Sequence, residues 1–200
     1  MLKVAITGNI ASGKTTVENF LKEKYPVLDT DTIAHELLLN KDVKAEIEQA
    51  FEGFDVLENN LISRPKLSKI IFYDETQGET LRKKLESILH PLIKIEIEKF
   101  FSSQQEKGKK VAFVSIPLLF EAKFESVFDK IVLIYADDNI RVERLLTRNN
   151  LTQEEAKKRL NSQISQDEKI SLADYVIYNN ENLDDLLFST NAFVENIYLV

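Results

Sequence analysis

Eight consecutive residues near the start of the chain, Gly8, Asn9, Ile10, Ala11, Ser12, Gly13, Lys14 and Thr15, satisfy the spacing G-x-x-x-x-G-K-[ST]. Only five glycines occur in 200 residues and two of them stand here. Chance produces such a match in roughly one chain of this composition per thousand. The loop leaves a short apolar run, Leu2 to Thr7, and enters a patterned segment from Lys14 to Lys24, which predicts a buried strand, a tight loop and a helix. At such a junction the free N–H groups and the positive end of the helix dipole face an anion. Glycine allows the close backbone approach, Lys14 can bridge β- and γ-phosphates, and the Thr15 hydroxyl can ligate Mg²⁺. The expected ligand is a nucleoside triphosphate with magnesium.

The rest of the chain fits an α/β core. Val27 and Leu28, Val111 to Ile116, Ile131 to Tyr135 and Tyr175 to Ile177 are further short apolar runs, each followed by loop or helical sequence. With the first strand they predict a P-loop NTPase core: a five-stranded parallel sheet with helices on both faces. Between residues 32 and 108 no comparable strand occurs, and Leu81, Leu85, Ile88, Leu89 and Leu92 repeat at helical spacing. Pro91 is expected to end one helix and open the next, with His90 as its cap. Residues 107–110 read as a polar turn. From Arg141 to Lys169 the sequence turns polar, with a capping box at Thr152 to Glu155, as in a surface helical hairpin. Phe188, Phe193 and Ile197 mark a closing amphipathic helix. These readings predict a nucleotide-binding core from 1–31, 109–143 and 171–200, a helical acceptor-binding insertion at 32–108 and a helical lid at 144–170.

Charge and composition narrow the partners. Lys plus Arg total 26 against 33 Asp plus Glu, a net charge of −7, so no broad basic field gathers nucleic acid or anionic membrane. Local groups must hold any anion. The absence of Cys excludes disulfides and thiolate chemistry, and with two His a zinc site would also need carboxylates. The opening MLKVAITGNIASGK places Gly, Asn and Lys where a signal peptide would continue its apolar run, and no apolar stretch of about 18 residues occurs. The expectation is a cytoplasmic protein, monomeric or a small homo-oligomer, acting on a small molecule without nucleic acid or membrane.

No Gly has an Asp three residues before it, and Asn40-Lys41-Asp42-Val43 lacks the final Asp of a guanine-binding motif. A signalling GTPase is therefore excluded. A small kinase needs a carboxylate near the acceptor hydroxyl and cations around the transferred phosphoryl group. Asp29 and Asp31 follow the second strand; either can orient the acceptor, while Asp31 alternatively caps a helix starting at Thr32. Arg141, Arg144 and Arg148, half of the six arginines, share one helix face, suited to phosphoryl oxygens or simply to solvent. Another small-molecule kinase and a non-catalytic nucleotide-binding regulator remain open on these residues alone.

Over nearly its whole length the chain resembles the dephospho-coenzyme A kinases. The loop T-G-N-I-A-S-G-K-T is similar to the family's T-G-G-I-G-S-G-K-S, and Asp29-Thr30-Asp31 through His35 is like its D-A-D followed by I-A-H. Arg64 with Leu67 and Phe72, the pair His90-Pro91, and above all Pro117-Leu118-Leu119-Phe120-Glu121 match its strings. Arg144 and Arg148 match lid arginines, Gln163 and Lys169 the polar positions beyond them, and Ala173 to Asn179 resembles A-D-x-V-I-D-N. The resemblance implies phosphoryl transfer from ATP to the ribose 3′-hydroxyl of dephospho-coenzyme A. It also implies Asp31 as catalytic base, acting with Lys14 and Arg144. Nucleotide contacts then run from Gly8 through Thr16 with Arg144, Arg148 and Asn179, and acceptor contacts include Asp31, His35, Arg64, His90, Pro117 and Leu118. Departures are Asn9 and Ala11 for glycines, Tyr178 for Asp, and Ser115 where many members carry Asp; Glu121 or Asp31 is expected to supply the missing carboxylate.

Overall fold

The strand predicted before the loop forms as β1, Leu2–Thr7, and its last four residues are all buried. Consecutive buried residues on a strand mean that both faces are covered, the signature of a parallel sheet under helices. β5 (Val111–Ser115) is buried throughout and β6 (Lys130–Tyr135) over its four central residues. With β2 (Val27–Asp29) and β7 (Tyr175–Tyr178) they form a five-stranded parallel sheet in the order β2-β5-β1-β6-β7. The computed structural model describes residues 1–74, 76–149 and 152–197, the side chains of Tyr73, Arg148, Asn149, Lys158 and Asn161 excepted.

Alternate strand residues meet the flanking helices. Val4, Ile6, Val111, Phe113, Val132, Ile134 and Ile177 pack with Val17 and Leu21 of α1 (Lys14–Lys22) and with Leu186, Phe193 and Val194 of α9 (Leu183–Asn196). The closing helix therefore forms as expected, but Phe188 is 76% exposed. Its position, two residues from Leu186 and from Thr190, lies on the opposite side of a 3.6-residue turn from that buried pair.

The chain divides into two compact units, Met1–Asp29 with Phe101–Val200, and Thr30–Phe100. The second carries α2 (Thr30–Leu37), α3 (Lys41–Ala50), α4 (Arg64–Tyr73) and most of α5 (Gly78–Glu106). α2 begins at Thr30, so Asp31 lies in its first turn and is not the cap of a helix starting at Thr32. The unit also holds a pair of two-residue strands unseen in the sequence, β3 (Leu57–Glu58) and β4 (Leu61–Ile62). They are too short for a periodic signal; Asn59 and Asn60, with φ of 49° and 62°, make the tight turn between them.

α5 runs unbroken through Pro91, against the expected break. A proline removes one helical hydrogen bond. Leu81, Leu89, Ile93 and Ile97 are buried on both sides of Pro91 at helical spacing, so packing of one continuous face outweighs that local loss. His90 is consequently a mid-helix residue, half-buried, and not a cap.

In the first unit α6 (Asp138–Asn149), α7 (Gln153–Asn161) and α8 (Gln166–Leu172) follow β6. The capping box opens α7 as predicted, with Thr152 Oγ1 accepting from Glu155 N–H and the Glu155 carboxylate accepting from Thr152 N–H.

Candidate active site

Gly13, at φ 98°, turns the chain into α1 with no side chain in the way. A Cβ there would lie 2.1 Å from Asn179 Nδ2, and one on Gly8 would lie 2.5 Å from Ser12 Oγ and 2.7 Å from Ile134 O. Both glycines are thus demanded by space, and Gly13 by conformation as well. Ala11, standing where the resemblance expects Gly, adopts φ 63°. Its methyl and the Ile10 side chain pack against Leu145, Ala156 and Leu160, an apolar contact that glycine could not make.

Distant residues clamp the loop backbone. Asn179 Nδ2 donates to Ser12 O (2.7 Å), and Arg144 donates to Ala11 O (3.3 Å) and to the Asn179 carbonyl (3.1 Å). Gln163 Oε1 accepts from Ile10 N–H (2.8 Å), and Asn9 Nδ2 donates to Ile164 O (2.9 Å). Asn9 Oδ1 and Ser12 Oγ are buried without a hydrogen-bond partner, and each is a group that a bound ligand can satisfy. Thr15 and Thr16 are exposed in the first turn of α1.

The Lys14 ammonium donates to Ser115 Oγ at the carboxyl end of β5 and lies 3.5 Å from Glu18 Oε2. The same Glu18 oxygen accepts from Ser115 Oγ (2.7 Å), while Oε1 pairs with Lys22 (2.6 Å). Burial pushes the Glu18 carboxyl up, but hydrogen bonds from Lys22 and Ser115 and the charges of Lys14 and Lys22 outweigh it, leaving the group below its ordinary 4.5. A carboxylate does stand at the end of β5, but it comes from α1. Glu121, one of the expected sources, accepts through Oε1 from Ile164 N–H (3.3 Å) and pairs with Lys169 (2.8 Å), while its Oε2 is buried without a hydrogen-bond partner. Nothing in the reading of the sequence singled out Glu18. Its signal was the spacing Lys14, Glu18, Lys22, one helical turn between each cation and the acid.

The arginines divide by job. Arg144 meets the loop and Asn179, whereas Arg141 is 3% exposed and pairs with Asp138 (2.6 Å), its other contact being Ile10 O at 3.5 Å. The Arg148 side chain lies outside the described residues. Nor are Gln163 and Lys169 ordinary surface residues of a hairpin: one holds the loop, and the other is fully buried against Glu121. Gln166, also missed, is buried and bridges Ala136 to Asp138. A cleft of about 630 Å³ beside the loop is lined by Asn9, Asp137, Asp138, Gln163 and Asp167 among others. Three carboxylates make this cleft acidic, and its cation, Arg141, is already paired with Asp138.

Asp29, aligned with Ser115 in the parallel ladder, ends β2. In the other unit Asp31 and His35 are exposed on α2, Arg64 is exposed as the first residue of α4, and burial lowers the His90 pKa below 6.5 against the opposing pull of Glu86. After β5, Pro117 O accepts weakly from Thr7 Oγ1 (3.4 Å), Leu118 is 42% exposed, and Leu119 and Phe120 are buried. Among the described residues no three His, Asp or Glu side chains form a metal cluster, and no helix is long and apolar enough to cross a membrane.

The loop geometry can be set beside known proteins. The family model described as dephospho-CoA kinase matches residues 2–185. A dephospho-CoA kinase from Listeria innocua is 40% identical, covering 96% of this chain and 95% of that protein, and one from Fusobacterium nucleatum is 36% identical, covering 97% of each. The solved structure of dephospho-CoA kinase from Campylobacter jejuni superposes with a TM-score of 0.71 at 29% identity over 98% of this chain and 96% of its own. A shared fold alone is common to many chemistries, but a match of this extent, running from the phosphate loop through the arginine-bearing helices, is specific. The chain belongs to the dephospho-CoA kinase family.

Proposed function

We propose that this protein transfers the γ-phosphoryl group of ATP to the ribose 3′-hydroxyl of dephospho-coenzyme A, giving coenzyme A and ADP, with magnesium. The observation that carries the reading is the clamped phosphate loop in a chain of this family. Its backbone is fixed by bonds from Asn179, Arg144 and Gln163. Donors held in place before the ligand arrives need no reorganisation as charge develops, and that is the main source of rate in phosphoryl transfer.

The roles follow from position. Residues Gly8 to Thr16 receive the phosphates through those N–H groups not already given to the protein, as Ile10 N–H is to Gln163; Lys14 reaches the β- and γ-oxygens, and Arg144 with Arg148 neutralises charge on the transferred group. The donors present fit a magnesium ion: the Thr15 hydroxyl, Ser115 Oγ and the Glu18 carboxylate are hard oxygens. These groups would hold such an ion beside the nucleotide, where it would offset phosphate charge. Asp31, exposed in the first turn of α2, accepts the acceptor's proton as the new O–P bond forms and the β,γ-bridging bond breaks. The helical unit, residues 32–108 of the sequence reading, holds the coenzyme through His35, Arg64 and His90, with Pro117 and Leu118 of the core. The segment 144–170 closes over the nucleotide and excludes water, the competing acceptor. We place the protein in the cytoplasm, as a monomer or small homo-oligomer.

Purified protein given Mg-ATP and dephospho-coenzyme A should form coenzyme A and ADP in equal amounts. ATP binding without that product refutes the proposed reaction.

A further inference from the structure

Glu18 is a costly residue to keep at its position. Its side chain is 3% exposed, and a buried carboxylate is tolerated only when cations and donors compensate it. Its two oxygens face different ways. Oε1 is taken by Lys22, whose side chain is 43% exposed, on the outer part of α1. Oε2 faces inward to Ser115 Oγ and Lys14. Were the carboxylate only a helix-surface partner for Lys22, it would not reach a hydroxyl on β5, 97 residues away in the chain.

The inner oxygen and the Ser115 hydroxyl share the Lys14 ammonium, which the reading above assigns to the phosphates during transfer. Once Lys14 engages the β- and γ-oxygens, Glu18 Oε2 loses a cation and Ser115 Oγ loses a donor. Lys22 still compensates Oε1. A partially compensated anion beside a hydroxyl, next to the helix turn that carries Thr15, suits the water shell of a dication: magnesium keeps several waters and needs acceptors for them. Building on the Mg-ATP reading above, we propose that Glu18 and Ser115 together form the outer-sphere acceptor site for the nucleotide's divalent cation, with Lys22 as its standing counter-charge.

The test is the magnesium dependence of ATP binding, measured by calorimetry without acceptor, in Mg²⁺ and in EDTA. The ratio of the two dissociation constants is the coupling between cation and nucleotide. In Glu18→Gln, which keeps shape but loses charge, the ratio should fall about tenfold, mostly through weaker Mg-ATP binding. Adding Ser115→Asp to that variant returns a carboxylate to the end of β5 and should restore most of the ratio. An unchanged ratio in Glu18→Gln overturns the proposal, as does an equal loss of affinity with and without Mg²⁺, which marks a purely structural residue. A double variant as poor as Glu18→Gln overturns the assignment to this position. Should Glu18→Gln not fold, Ser115→Ala leaves both ion pairs intact, and a ratio unchanged there is equally fatal. Wild-type protein that binds ATP no better with Mg²⁺ than without refutes the Mg-ATP reading itself; a normal ratio in Glu18→Gln alongside coenzyme A formation by the wild type removes only the role of Glu18.

Discussion

The phosphate loop and the helical unit treat their candidate residues in opposite ways. Every clamp on the loop comes from far along the chain: Asn179 reaches Ser12 across 167 residues, Gln163 reaches Ile10 across 153, and Arg144 reaches Ala11 across 133. In the unit Thr30–Phe100, bonds such as the Asn40 cap on Asp42 and the Asp74 turn with Thr76 and Gln77 are short-range, and Asp31, His35 and Arg64 stand exposed. The difference follows from the ligands proposed for each. Triphosphate needs many convergent N–H donors whose positions cannot be improvised, so tertiary contacts fix them in advance. An acceptor many atoms long can be gripped by side chains that settle only when it arrives, at some cost in ordering entropy.

If that contrast is right, removing Lys14 is the most severe single change. Lys14→Ala should lower turnover by about 10³-fold or more, because it removes the cation assigned to the β- and γ-oxygens. Near-normal turnover by that variant would break the comparison at its root. Asp31→Asn should lower kcat by on the order of 10² while the ATP dissociation constant, measured without acceptor, stays within about twofold. Loss of ATP affinity in that variant would mean that the two regions do not divide the work as proposed.

Gly13→Ala tests preorganisation directly. The added methyl meets Asn179 Nδ2 at 2.1 Å and sits at φ 98°, so the loop must shift. ATP affinity should drop about tenfold or more, with a thermal midpoint lower by a few degrees. Arg64→Ala should show the opposite profile, an acceptor KM raised about tenfold at unchanged ATP KM, as expected of an exposed side chain organised by its ligand.

The smallest effect expected is a pH dependence of stability carried by His90. Burial holds its folded pKa below the ordinary 6.5, so the neutral form is favoured in the fold and the unfolded chain binds the proton more readily. Stability from this residue is intact above 6.5 and is lost as pH falls through that value toward the folded pKa. Thermal midpoints at pH 7.5 and 5.5 should therefore differ more in wild type than in His90→Gln. Equal differences would place His90 in solvent-like surroundings and align it with Arg64.

How far the sequence could be read varies from residue to residue for physical reasons. The loop was legible because its chemistry is local: glycines, lysine and threonine at fixed spacing, bounded by a run that can only be a buried strand. β1, β5 and β6 were legible because apolar runs buried on both faces leave no ambiguity of phase, and β2 and β7 because short apolar runs stand between loop and helical sequence. Pro91 was misread because a local rule met a helix whose buried face continues on either side of it. The Asn59–Asn60 hairpin is too short to show any period. Gln163 and Lys169 look like ordinary polar residues until the fold brings them to Ile10 and Glu121.

By itself, then, the sequence determined that a triphosphate cradle sits at the end of a parallel strand, in a chain resembling one family of kinases. Spacing along a strand–loop–helix is set by bond geometry over about a dozen residues and needs nothing else. Only the tertiary structure decided which side chains hold that cradle, and that Glu18, delivered from α1, places a carboxylate at the end of β5. Those choices depend on which segments are brought within about 3 Å of one another, a distance set by sheet order and helix packing and written in no single stretch of chain.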